Sequence, residues 1–332
     1  MNSKLLLCLI LFSVMFIIPT ISIGGRKTQA HPINDYLPDN PLQLKNNEAR
    51  ADKQFVLLDE SNGKTITVSD KEFTYGAVIT EMPPTFSKEA LKAQAVACYT
   101  FFNRKRNEAR RDRPKNLKGA DFVVNTDKWQ YYVSKEQMRS RWGNHFDEYY
   151  NKLTSSVDEV FGKMLVDEGE PILAVYHAIS AGNTEKSCDV FGGDVKYLTA
   201  VPSPGDQFAP NYKTTAEFDK DRFKSILSSN YPNIKLEQAC ERWIGHVEKT
   251  PSGMVKSITI GSVSLSGLQI RKIFGLRSAS FDLSYQNDKF IFTVLGYGHG
   301  VGMSQYGAEY MAKQGSDYKQ ILAWYYPNTT IQ

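Results

Sequence analysis

Cysteine is scarce in this chain, with four in 332 residues, at positions 8, 98, 188 and 240. None has a neighbour at C-x-x-C spacing, so neither a zinc ribbon nor a disulfide framework is indicated. Cys98 lies in an Ala/Val/Tyr-rich helical stretch and reads as core. Cys188 and Cys240 stay open between a bonded pair and two free thiols. An excess of either charge is also missing. Forty Lys and Arg oppose 36 Asp and Glu, and a net charge of +4 makes no case for a nucleic-acid partner. The glycine-rich stretch 296–302 is not followed by Lys-Ser/Thr, which excludes a P-loop. With 41% apolar and 23% charged residues, the composition is that of an ordinary globular chain and argues against overall disorder.

One long uncharged run stands out, Leu5 to Gly25, preceded by Lys4. At ~1.5 Å per residue it is long enough to cross a bilayer as a helix. Basic charge before it places residues 1–4 in the cytoplasm and the bulk outside. A cleaved signal peptide is the competing reading. It is disfavoured by the length of the run and by the β-branched residues around Ser22-Ile23-Gly24. The expected layout is an anchor over 5–25, a polar linker over 26–52 with Pro32, Pro38 and Pro41, and one domain over 53–332.

Ile79 to Thr100 is the stretch around which the rest is organised. Pro83 and Pro84 stop the helix that a Ser69/Glu72 capping box opens, so Glu81 falls at its last turn. Ser87 opens a second helix, expected to reach about Arg106. Glu81 thus sits at an apolar joint between Met82 and Phe86. Such a joint raises a carboxyl pKa, as a general acid near neutral pH requires. Before this joint, Asn62-Gly63 signals a hairpin between Phe55–Leu58 and Thr65–Val68. Beyond it, Arg104 to Lys118 is dense in basic residues. That suits an anionic surface or, more blandly, a solvated helix end.

Further on, one helix is expected from Lys135 to about Val160, and another from about Thr214 to Ser228. Strands are expected at 164–166, 172–176 and 254–265, with a closing hairpin at 281–295 across Asn287-Asp288. A last helix over 317–326 is expected to turn Ile321, Leu322, Trp324 and Tyr325 to the core. Two loops following strands collect polar groups. One carries His177, Ser180, Gly182, Thr184 and Glu185, followed by Tyr197. The other carries His299 and runs into Ser304 and Gln305, with Ser304 capping a helix to about Lys313.

Three blocks, in order, resemble the stage II sporulation protein D family, which includes the amidase-enhancer domains. They are Glu81-Met82-Pro83 with Glu89–Ala97, then Tyr176–Glu185, then Gly296–Ala308. The resemblance runs from about Phe55 to the C-terminus. It implies an α+β fold, a single interlocked catalytic domain of mixed helices and antiparallel strands, behind the N-terminal transmembrane helix. It implies a peptidoglycan lytic transglycosylase that cuts between N-acetylmuramic acid and N-acetylglucosamine and leaves a 1,6-anhydro sugar. Glu81 would be the acid and base. Tyr99, His177, Ser180, Gly182, Thr184, Glu185, Tyr197, His299 and Gln305 would line the substrate groove.

No cofactor is implied. Some members carry a His/Cys cluster where this chain has Leu117, Val123, Lys128 and Trp129, so no structural metal is expected. The implied partners are glycan strands stripped of stem peptides, and stage II sporulation proteins M and P. The setting would be the mother-cell engulfing membrane, with the domain facing the forespore. One departure is that Tyr99 replaces a family Arg, with Arg104 or Arg106 as candidate substitutes. Two rivals stand beside the enzyme: a non-catalytic wall-binding enhancer of a separate amidase, and a Cys188/His177 hydrolase. The latter has no evident orienting third group.

Overall fold

The computed structural model describes residues 54–332. The expected anchor and linker lie outside the described residues. Among the described residues no helix is long and apolar enough to cross a membrane.

The chain opens with β1 (Gln54–Asp59) and β2 (Lys64–Ser69), an antiparallel hairpin whose turn places Gly63 at φ +70°. Ser69 caps α1 (Asp70–Glu81), accepting from the Glu72 amide at 3.2 Å and donating to the Glu72 carboxylate at 3.0 Å. The proline pair ends it, and α2 (Lys88–Asp112) follows. This helix is longer than expected. Its last turns are held by Arg110, whose guanidinium reaches Asp121 at 2.7 Å while Asp121 also accepts the Val56 amide. Its Ala-rich first half is buried and lets other helices approach closely. Then come β3 (Phe122–Val124), parallel to β1, α3 (Lys135–Trp142) and α4 (Phe146–Asp158). The single helix expected over 135–160 is therefore two. Gly143, at φ +52° and ψ −123°, cannot continue a helix and turns the chain.

Short strands β4 (Leu165–Asp167), β5 (Glu170–Pro171) and β6 (Tyr176–His177) lead to α5 (Ser187–Phe191). A self-contained stretch follows: β7 (Lys213–Asp219), α6 (Lys220–Asn230), β8 (Ile244–Lys249), β9 (Val255–Ile260), β10 (Val263–Leu265), α7 (Gly267–Phe274), β11 (Phe281–Gln286) and β12 (Lys289–Leu295). Thr214–Glu217 is strand, not the start of a helix. It pairs with β12, and Asp219 supplies the cap, accepting the Arg222 amide at 2.8 Å. The chain closes with β13 (Met303–Ser304), α8 (Gln305–Lys313), α9 (Tyr318–Tyr325) and β14 (Thr330–Ile331).

The architecture is α+β. Most strand pairs are antiparallel, as expected, and β1–β3 and β6–β13 are parallel. Two hydrophobic cores form. The first gathers residues 55–201 and 301–331 around α2, joined by Met254 and Ala279 from the stretch between. The second is built from 216–294 alone, with Phe223 stacked on Phe290 at 3.9 Å and Trp243, Phe274 and Phe292 around them. Residues 213–295 thus form a lobe inserted between the two signature loops. Of the last helix's four expected core residues, Ile321, Leu322 and Tyr325 are buried. Trp324 is 45% exposed, with its indole N–H donating to the Pro202 carbonyl.

Candidate active site

Glu81 occupies the last turn of α1. Met82 turns extended, its amide still bonded to the Val78 carbonyl at 2.9 Å, and Pro83 and Pro84 prevent a further turn. Met82 and Phe86 are buried on either side, and Glu81 itself is half-buried. Its carboxylate receives one long hydrogen bond, 3.4 Å from Gln305 Nε2. Burial lifts its pKa to about 7, with Gln305 opposing weakly, and no neighbouring carboxylate contributes. The sequence-based expectation for this joint matches that arrangement.

Gln305 reaches Glu81 because β6 and β13 pair in parallel, Tyr176 with Met303 and His177 with Ser304. Ser304 then caps α8 and starts it with Gln305. Gly302 permits the approach. Its φ is +71°, and a Cβ there would meet the Val175 carbonyl at 2.0 Å. Behind Glu81, Gln94 Nε2 donates to Cys98 Sγ at 3.1 Å, and the thiol donates to the Tyr176 hydroxyl at 3.4 Å. Burial, reinforced by Glu81, pushes the Cys98 thiol up to about 12, so it stays protonated and unreactive.

The two histidines come together, ring centroids 5.6 Å apart. His299 Nδ1 accepts the Val301 amide at 3.1 Å, which leaves Nε2–H to donate to the Tyr176 carbonyl at 3.0 Å. His177 Nδ1–H donates to the Val301 carbonyl at 3.1 Å, and its buried Nε2 has no partner. Burial pulls His177 down to about 4 and His299 further below its usual value, with Arg271 adding to both. Both rings are neutral near pH 7. They serve as hydrogen-bonding struts rather than proton carriers, with one free acceptor at His177 Nε2.

Asp206 is a hub the sequence did not reveal. It accepts the Ser180 amide at 2.8 Å, the Ser180 hydroxyl, and the Ser304 hydroxyl at 2.7 Å. Burial raises its pKa against those donors. It ties the Ser180 loop to the cap of α8, and so fixes Gln305. Nothing local marks it, since it lies in the 3₁₀ turn Pro204–Phe208 and its partners are 26 and 98 residues away.

The remaining candidates are engaged elsewhere. Thr184 accepts the Val201 amide and donates to the Thr199 carbonyl. Glu185 is buried, and burial raises its pKa. It accepts from Thr250 Oγ1 at 2.9 Å and the Met254 amide at 3.2 Å, which clamps the inserted lobe to the first core. Gly182 takes φ +107°, and its carbonyl accepts the Ser203 amide. The Tyr197 hydroxyl accepts the Leu173 amide at 2.9 Å.

Tyr99 is not brought to Glu81. Its hydroxyl donates to Asp70 at the opposite end of α1, about 16 Å along the axis at 1.5 Å per residue. Arg106 binds the same Asp70 at 2.8 Å, and Arg104 binds Glu108 and the Pro171 carbonyl, so neither stands in for the family Arg. With Arg110 on Asp121 and Arg111 on Asp112, much of the basic stretch is spent on internal pairs. Cys188 is exposed, Cys240 is half-buried, and both are free thiols. Among the described residues no group of three or more His, Cys, Asp or Glu is placed to hold a metal.

The fold and site define an α+β protein with one half-buried carboxyl at a helix joint, faced by a glutamine from the far end of the chain. The family profile described as "Stage II sporulation protein" matches residues 59–166. The chain is 36% identical over 263 residues to stage II sporulation protein D of Bacillus subtilis, spanning 79% of this chain and 74% of that one. It is 36% identical over 274 residues to the protein of the same name from Bacillus amyloliquefaciens, spanning 82% and 76%. An amidase enhancer of Bacillus subtilis is 27% identical over 307 residues, covering 77% of this chain and 40% of the relative. The chain belongs to the stage II sporulation protein D family.

Proposed function

We propose that this protein is a peptidoglycan lytic transglycosylase of sporulation, cleaving the glycan strand at N-acetylmuramic acid with Glu81 as its acid and base. The observation that carries the reading is a single carboxyl held near pKa 7 by burial, with no second carboxylate acting on it. Hydrolytic glycosidases use two carboxyl groups, one for the leaving oxygen and one for the nucleophile or the water. In a transglycosylase the sugar's own C6 hydroxyl attacks C1, so one protein carboxyl suffices. Protonated Glu81 gives its proton to the glycosidic oxygen as the C1–O bond breaks. The carboxylate then takes the C6 hydroxyl proton as the 1,6-anhydro bond forms. Asp206 is poorly suited as a second carboxyl, because both its oxygens are occupied by Ser180 and Ser304. Gln305 steadies the Glu81 carboxylate.

By resemblance, the setting is outside the cytoplasmic membrane during engulfment, with the chain held by its N-terminal segment and working with stage II sporulation proteins M and P. The amidase-enhancer relative supports a second reading, a wall-binding activator of a separate amidase. One experiment separates them. The purified chain is incubated with peptide-stripped glycan strands, and products are identified by mass spectrometry. Anhydro ends that disappear with Glu81→Gln support the enzyme. Reducing ends would mean hydrolysis and defeat the one-carboxyl mechanism. Binding without products, equal in both forms, would favour the enhancer.

A further inference from the structure

Glu309 is buried on α8 and takes no part in the chemistry described above. Its Oε2 accepts the Ser87 amide at 2.6 Å, and its Oε1 meets Lys313 Nζ, one turn on, at 3.0 Å. Ser87 is the N-cap of α2, but its own hydroxyl makes no capping bond. The amide at the start of α2 is instead received by a carboxylate 222 residues away, where the positive end of the helix favours an anion.

That contact completes a set around the joint. Glu81 ends α1, and residues 82–87 turn the chain into α2. One face of α8 meets both ends of this turn. Gln305 reaches Glu81 at 3.4 Å, the Tyr306 ring meets the Phe86 ring at 5.0 Å, and Glu309 holds Ser87. Gln305 and Glu309 are four residues apart and so lie on the same side of the helix. From α4, Lys152 donates to the Thr85 carbonyl at 3.1 Å and lies within electrostatic reach of Glu309. α8 is thus tied twice. Before Gln305, the Ser304 hydroxyl is bonded to Asp206 at 2.7 Å; one turn after it, Glu309 is bonded to Ser87. Without the second tie, α8 is free to swing about the first, and the long Gln305 contact is the one with least to hold it. Glu309 does not act on Glu81 by charge, since burial and Gln305 account for the displaced pKa of Glu81.

We propose that Glu309 is a positioning residue for the cut: by binding the Ser87 amide it locks α8 against the 82–87 turn, keeps Gln305 on Glu81 and limits water at that carboxyl. The inference rests on the glycan-cleaving reading above and deepens it. The role is one of reach. A neutral acceptor of the same length can fill it, and a charged one a methylene shorter cannot.

The test is steady-state cleavage of peptide-stripped strands by the full chain, read as kcat and KM from about pH 5 to about pH 8. Glu309→Ala should lower kcat by about 10- to 100-fold with KM nearly unchanged, the scale of a small misplacement of a reacting group. Its kcat/KM should also fall at lower pH than in wild type, by about one unit, because a looser joint wets Glu81 and burial is what raises its pKa. The lost Gln305 bond works in the opposite sense but is the smaller of the two. Glu309→Asp should behave like Glu309→Ala, and Glu309→Gln should recover most of the activity and the wild-type profile. Asp219→Ala removes a helix cap in the inserted lobe, controls for a general loss of stability, and should leave the profile in place.

An unshifted profile in Glu309→Ala and Glu309→Asp, with kcat lowered no further than in Asp219→Ala, would overturn the positioning role and leave the glycan reading intact. Loss of product in Glu309→Gln as complete as in Glu81→Gln would make Glu309 a reacting group and overturn it too. Should Glu309→Ala not fold, Glu309→Asp against Glu309→Gln carries the same comparison. If the wild-type chain yields no cleavage products, the glycan-cleaving reading fails and the positioning role with it.

Discussion

The first core and the inserted lobe are built on different terms. The lobe is an ordinary hydrophobic sandwich of strands and helices with rings packed at its centre. Its buried polar residues, Thr250, Arg271, Ser278 and Ser280, belong to the segments that meet the first core and the His299 loop. The first core instead buries His177, Ser180, Thr184, Glu185, Asp206, His299, Ser304 and Gln305, together with part of Glu81. Each buried polar group requires partners, and the partners come from distant segments. The lobe therefore gains stability from packing. The first core spends some of its stability on holding one carboxyl in a setting that favours its proton.

The most severe way to break that contrast is in the chemistry. Glu81→Gln should lower turnover on peptide-stripped strands by about 10²- to 10⁴-fold, the usual scale for a lost acid/base, with binding and circular dichroism unchanged. Next in size is the lobe's packing. Phe290→Ala, which removes the ring stacked on Phe223, should destabilise the protein by about 3–5 kcal/mol in denaturant titrations. Retention of full stability would mean the lobe is not a packed core.

Asp206→Ala should cost about 1–3 kcal/mol, by leaving the buried Ser180 amide and two hydroxyls without their acceptor. It should also lower activity, because the α8 cap that presents Gln305 loses its tether. A loss of stability with normal activity would separate Asp206 from the site.

A smaller effect, with a definite sign, concerns pH. The folded-state pKa of Glu81 is raised from 4.5 to about 7, so folding favours the protonated form. That contribution is fully present below about pH 4.5 and is lost as pH rises to about 7. Glu81→Gln, which does not titrate, should match wild type near pH 4 and exceed it at pH 8 by at most about 3 kcal/mol. Melting curves at the two pH values check this, and an equal difference at both would refute the raised pKa. In the same sense, wild-type kcat/KM should fall as pH rises past about 7. The smallest expected effect is Tyr99→Phe. It removes one hydrogen bond to Asp70, should cost about 0.5–1.5 kcal/mol, and should leave activity unchanged. A large drop in activity would return Tyr99 to the groove.

Much was legible before any tertiary structure. The Asn62-Gly63 hairpin, the Ser69 and Ser304 caps and the proline stop after Glu81 follow from side chains acting on their own backbone within a few residues. Those local rules also placed Glu81 at an apolar joint, and the three blocks carried the family. Periodicity alone misread 135–160, because it does not register the conformation of Gly143. It also misread 214–217, where pairing with β12 outweighed a cap-like Thr-Thr pattern. What only the tertiary structure decided are the meetings of distant groups. Gln305 lies 224 residues from Glu81, Asp206 joins two serines, Glu185 clamps a lobe, and Tyr99 faces away. Local chemistry sets where helices begin and end. Burial and pairing across the chain set which charges are desolvated, and that is a property of the packed fold.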